Sequence, residues 1–170
     1  MPVSDSSPLI HLSRLGKLGY ARQVFASVLI PPAVRSETIE KGKSEGYTDA
    51  TILENLERDG WLKTMRLSSR SSRLAEQLSS AIGDGEAEAI ALALETKERL
   101  FIDDLKGRRV AEIHGIETTT ALGVIFELLV NRAIPRTDYV RNVKNYGSHG
   151  WISADVLEEF IRRGEGEEEI

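Results

Sequence analysis

Cysteine is absent from the 170-residue chain, and histidine occurs three times. The first absence excludes disulfides, thiolate zinc sites and cysteine nucleophiles. His11, His114 and His149 lack the paired spacing of a histidine metal site. No apolar run approaches the ~20 residues that a membrane-spanning helix needs, so no membrane association is expected. A basic-then-apolar secretory pattern is also missing from the N-terminus, which favours a cytoplasmic location. There is no internal repeat.

What is present is the composition of an ordinary globular protein, 41% hydrophobic and 29% charged. The length suits one domain with a sizeable core, spanning residues 1–164. A net charge of −5 argues weakly against nucleic acid as a partner. Its distribution softens that objection, because residues 165–170 (EGEEEI) hold four glutamates and no base. This acidic segment is expected to be a flexible, solvated tail. The body is nearly neutral, with local basic clusters such as Lys106, Arg108 and Arg109.

Short apolar segments near Val3, Val28, Leu62, Leu100 and Ile116 read as strands, each followed by a helical pattern. Ser6-Ser7-Pro8 is a good helix start, since serine caps free amides and proline suits the first turn. The first helix is expected to run to about residue 25, the second from Ala33 to Lys41, and an alanine-rich one over 86–97. Two further helices, near 137–145 and 153–163, form an extension of about residues 133–163 around Trp151. Short strands alternating with helices predict a central parallel sheet covered on both faces, a three-layer α/β/α sandwich.

Against this frame, carboxylates recur where strands end and helices begin. Asp5 follows the first strand in VSDSSPLI, and Asp103 and Asp104 end the fourth in LFIDDLKGRR. Glu37 lies early in the helix after LIPP, and Glu86 and Glu88 open the helix of GDGEAEAIALAL. A helix antiparallel to the strands starts at their carboxyl edge, so all these acids share one edge of the sheet. Glu86 and Glu88 fall on opposite borders of the apolar face formed by Ala87, Ile90, Ala91 and Leu94. Any one acid could simply answer a helix dipole. Their convergence is harder to explain that way, because clustered carboxylates repel, and a hard divalent cation resolves the conflict.

In order along the chain, VSDSSPLI, the acid after LIPP, GEAEAIALA and IDDLKGRRVA resemble the signatures of a PIN domain, with TTTALGVIFELL fitting the last strand and helix. The likeness extends to toxin ribonucleases of the VapC type and, through the EAEA core, to flap endonucleases. It implies the strand order 3-2-1-4-5 and Mg²⁺- or Mn²⁺-assisted hydrolysis of RNA. Asp5, Glu37, Glu88 and Asp104 are then the catalytic acids. Asp5, Glu88 and Asp104 would hold the principal ion, with Glu37, Asp103 or Glu86 completing its shell. Lys106, Arg108 and Arg109 are candidate nucleic-acid contacts, and Thr118, Thr119 or Thr120 could orient a water or phosphate. Ile102 stands where VapC-type chains usually carry threonine, and the third acid is Glu where Asp is commoner.

The resemblance further implies a homodimer and an antitoxin partner. A non-catalytic binding module of the same fold is the alternative. The apolar stripe of Val156, Leu157, Phe160 and Ile161 either covers the chain's own flank or contributes to the dimer contact. A phosphoacceptor receiver domain also gathers acids at a sheet edge, but it wants a lysine after the fifth strand. TTTAL has none.

Overall fold

A computed structural model describes residues 1–149 and 152–166. Trp151 and the acidic residues 167–170 lie outside the described residues.

Five parallel strands are arranged in the order β3-β2-β1-β4-β5. They are β1 (Val3–Ser4), β2 (Val28–Ile30), β3 (Leu62–Thr64), β4 (Leu100–Phe101) and β5 (Thr118–Thr119). The predicted order and direction are therefore what the fold adopts. The strands are shorter than the apolar runs suggested, but their central members are buried on both faces, as in parallel sheets. Val3 is in register with Leu29 on one side and Leu100 on the other. The ladder continues one residue past β1, where the Asp5 amide donates to the Phe101 carbonyl at 2.9 Å. The two central strands thus run toward the same edge of the sheet, Asp5 directly after β1 and Asp103 and Asp104 shortly after β4, at the point where the winding direction reverses.

The N-terminal helix is interrupted. Helices α1 (Ser6–Arg14) and α2 (Leu18–Val24) meet at a corner where Gly16 takes a φ of 66°. A left-handed residue ends a helix, and glycine adopts it without a side-chain penalty. The helix after β2 begins as α3 (Pro32–Arg35), widens into a π-helical stretch over Ser36–Lys41, and closes as α4 (Gly42–Ser44). Then come α5 (Thr48–Arg58), α6 (Ser69–Ser79) and the alanine-rich α7 (Asp84–Thr96). Ala89 through Ala93 are wholly buried. Small side chains let α7 lie close over β1 and β4, with α3, α6 and α8 (Leu105–Ile113) packed around it.

The opposite layer is built on α9 (Ala121–Val130), which contacts α1, α2 and the extension helices α10 (Arg136–Ser148) and α11 (Ala154–Gly166). Helix α10 is integral to the core. Tyr139, Val143 and Tyr146 are buried, and the Lys17 ammonium at the α1–α2 corner donates to Asp138 at 2.5 Å, both side chains being buried. Burial alone would raise the Asp138 carboxyl, but Lys17 and Arg141 together hold it below its ordinary value. Leu157, Phe160 and Ile161 of α11 pack against the chain's own core. Two glycines set that contact. A Cβ on Gly164 would stand 2.2 Å from the Tyr139 ring, and one on Gly147 would stand 2.9 Å from Leu157. The Tyr139 hydroxyl completes it by donating to the Phe160 carbonyl at 2.7 Å.

Candidate metal centre

Asp5 stands immediately before the first residue of α1 and is 3% exposed. Loss of water pushes its carboxyl up to about 7, and the negative charges of Glu86 and Glu37 push the same way. The backbone amides of Ser6 and Ser7 oppose them. The Glu86 carboxyl is also raised, first by burial and then by Asp104 and Glu37, with the Gly83 amide and Lys106 pulling it down. Asp5, Glu37, Glu86 and Asp104, from four segments, are thereby linked at the carboxyl edge of the sheet: Glu86 and Glu37 act on Asp5, and Asp104 and Glu37 act on Glu86.

Each of the last three is oriented by a local bond. Ser6 Oγ donates to Glu37 Oε2 at 2.5 Å, joining the start of α1 to the π-helical stretch. The Gly83 amide donates to Glu86 Oε2 at 3.2 Å, and the Gly107 amide to Asp104 Oδ2 at 2.7 Å. Gly85 makes room for the arrangement. A Cβ there would meet Glu37 Oε2 at 2.6 Å, so the glycine lets that carboxylate rest against the first turn of α7.

Two further expected members are engaged by other partners. Glu88 Oε2 accepts from the Ala33 amide at 2.8 Å, tying α7 to the start of α3. Glu86 and Glu88 thus lean to different sides of α7, as their places on opposite borders of its apolar face imply. Asp103 accepts from the Ala121 amide at 2.7 Å and from His11, whose Nδ1 lies 2.7 Å from Asp103 Oδ2. The Tyr146 hydroxyl stands 3.2 Å from the same nitrogen, and the two rings meet edge-on with centroids 5.2 Å apart. Burial and then the charge of Asp103 push the Tyr146 phenol upward. His11 and Tyr146 were not legible as site residues. They reach Asp103 from α1 and α10, and only the tertiary fold brings the three together.

Lys106 donates to the Ala81 carbonyl, and Arg109 is exposed. Thr120 accepts from the Gly123 amide at 3.2 Å and so caps α9. Arg108, one turn past Asp104, lines a groove of about 970 Å³ together with Glu86, Asp103 and Asp104.

The donor set suits a hard cation. Every candidate ligand is a carboxylate oxygen, and the most buried of them faces two more acids. Among the described residues, no three acidic or histidine side chains already stand as a closed cage. Asp5, Glu37, Glu86 and Asp104 are held on different backbone segments, and their side chains would have to turn inward around an ion.

A parallel sheet in 3-2-1-4-5 order with acids gathered at its switch point defines a nuclease-like α/β/α fold. A family model described as a PIN domain matches residues 1–166, and the chain belongs to the PIN-domain family. Proteins of this family are in general nucleases that use divalent metal ions and act on nucleic acid. No curated protein sequence matches the chain.

Proposed function

We propose that this chain is a Mg²⁺- or Mn²⁺-dependent endoribonuclease whose site is formed by Asp5, Glu37, Glu86 and Asp104. The observation that carries this reading is Asp5, a nearly inaccessible carboxylate whose charged influences are two further acids. A cation beside such a group favours its charged form and offsets the repulsion of the neighbouring acids. When bound, a divalent ion lowers the pKa of a coordinated water and offsets charge on the phosphoryl oxygens. Asp5 and Asp104 would hold it from the two central strand ends, and Glu86 from the first turn of α7. Glu37, exposed and oriented by Ser6, would take a proton from the attacking water. Glu88 and Asp103 then act on the framework, Glu88 through α3 and Asp103 through His11 and α9.

Replacing Asp5 or Asp104 by Asn should abolish metal-dependent RNA cleavage in a folded protein, measured with contaminating nucleases excluded. Glu86→Gln should weaken Mn²⁺ binding at least tenfold in titration calorimetry, a loss of about 1.4 kcal/mol, while Glu88→Gln changes it little. The reverse ranking would return the α7 ligand to Glu88.

Family resemblance extends this reading to the toxin of a toxin–antitoxin pair, acting as a homodimer and neutralised by an antitoxin protein. The non-catalytic binding module is the second reading, and the spread of the acids over separate hydrogen bonds favours it. A folded chain that binds no Mn²⁺ and leaves RNA intact would decide for it.

A further inference from the structure

The two acids that follow Ile102 face opposite layers of the molecule. Ile102 and Asp104 lie toward α8, since a Cβ on Gly107 would stand 2.6 Å from Ile102 Cδ1 and 3.7 Å from Asp104 Oδ2. Asp103 reaches the other layer, where its partners stand on α1 and α9. Successive side chains of an extended segment alternate in this way, and the backbone of Asp104 is still extended. One acid thus faces the proposed metal centre while its neighbour is committed elsewhere.

The Asp103 side chain is 12% exposed and takes donors from three helices. The Ala121 amide, first in α9, donates to Oδ1 at 2.7 Å. His11 Nδ1, from α1, lies 2.7 Å from Oδ2. A carboxylate only accepts, so that nitrogen carries the proton and cannot also accept from the Tyr146 hydroxyl beside it. The hydroxyl, 3.2 Å from Nδ1, donates to Asp103 instead. Tyr146 is buried near the end of α10, and Leu157 of α11 seats against the next residue, Gly147. The C-terminal extension therefore bonds to the turn that carries Asp104.

A carboxylate held by three donors has little freedom to rotate, and one peptide unit joins it to Asp104. Groups that orient a metal ligand from outside the coordination shell change affinity by roughly 10–100-fold when removed. We infer that Tyr146 and His11 are positioning residues for the metal centre, fixing Asp104 through the carboxylate of Asp103. The extension helix α10 then helps to set the metal affinity of the core. The inference rests on the reading of Asp104 as a ligand.

Mn²⁺ titration calorimetry on the full chain tests it, with variants that each remove one donor and keep a ring. Tyr146→Phe and His11→Phe should each weaken Mn²⁺ binding roughly tenfold. Tyr139→Phe is the matched control, because it also deletes a hydroxyl bond made by α10, but one to the Phe160 carbonyl. It should leave Mn²⁺ affinity unchanged. In an Asp103→Ala background, Tyr146→Phe should add nothing, since residues that act through a shared partner are not additive. Raising Mn²⁺ roughly tenfold should restore RNA cleavage to Tyr146→Phe and not to Asp104→Asn, because only the former keeps the ligand. Circular dichroism establishes that each variant is folded. Should Asp103→Ala not fold, the contrast between Tyr146→Phe and Tyr139→Phe still decides. Parent affinity in both Tyr146→Phe and His11→Phe, or an equal loss in Tyr139→Phe, would overturn the inference. The metal-centre reading survives that result as long as the parent binds Mn²⁺. A parent that binds none removes both.

Discussion

At neutral pH a carboxyl group that has left water and faces other acids tends to keep its proton until a cation arrives. Asp5 is in that position, with its carboxyl raised from 3.8 to about 7. The folded, metal-free chain therefore holds a proton that the unfolded chain releases between those two values. Because the folded state binds the extra proton, Asp5 makes stability fall as pH rises from about 4 to about 7, and adds no further slope above that. Asp5→Asn should remove this component, leaving a metal-free variant more stable than the parent at about pH 8 by at most on the order of 4 kcal/mol. Urea titrations across that range in a chelating buffer measure it. Parallel pH profiles for parent and variant would contradict the burial of this charge. Adding Mg²⁺ should stabilise the parent more than the variant.

Asp5, Glu37, Glu86, Glu88, Asp103 and Asp104 were legible in the sequence as candidates, because acids at strand ends and helix starts occupy the same edge of a parallel sheet. Residue identity could not tell Glu86 from Glu88, since both border the same apolar face. What separates them is the position of α3, whose Ala33 amide engages Glu88. Nor could it reveal the use of Gly85, which depends on a carboxylate arriving from another segment.

At the scale of elements, the strand positions and the alanine-rich helix were legible from apolar runs and small residues. Two features were not. The π-helical stretch over Ser36–Lys41 depends on hydrogen-bond register, which no side-chain pattern in SETIEK announces. The corner at Gly16 splits a helix whose leucines continue in phase through it.

That corner presents Lys17 to Asp138, joining the start of the chain to α10. The depressed Asp138 carboxyl contributes stability that is present above about 3.8 and lost as pH falls through its lower folded value, the opposite slope to Asp5. Lys17→Met should cost about 3 kcal/mol, the lower end for a broken buried pair, because Arg141 still engages Asp138. Combining it with Asp138→Leu should recover much of that loss in urea unfolding. Simple additivity of the two substitutions would show that the pair is not coupled.

For the whole molecule, helices α10 and α11 turn a PIN core into a larger unit by covering α9. The apolar stripe of α11 is directed onto that core, with Leu157, Phe160 and Ile161 packed against it. A homodimer, if formed, then uses another surface, and Phe160→Asp should disturb α11 without dissociating it. Light scattering at micromolar concentration distinguishes the cases. A particle of only about 18.9 kDa would reject the dimer.

The brevity of the strands bears on aggregation. A long exposed edge is a template on which a second chain can add a strand. Here the two edges are β3, three residues with Lys63 and Thr64 exposed, and β5, two half-buried threonines. Neither offers a run of unpaired donors and acceptors long enough to seed cross-chain pairing. The chain can keep its valines, leucines and isoleucines in a parallel sheet without presenting a sticky border to its neighbours.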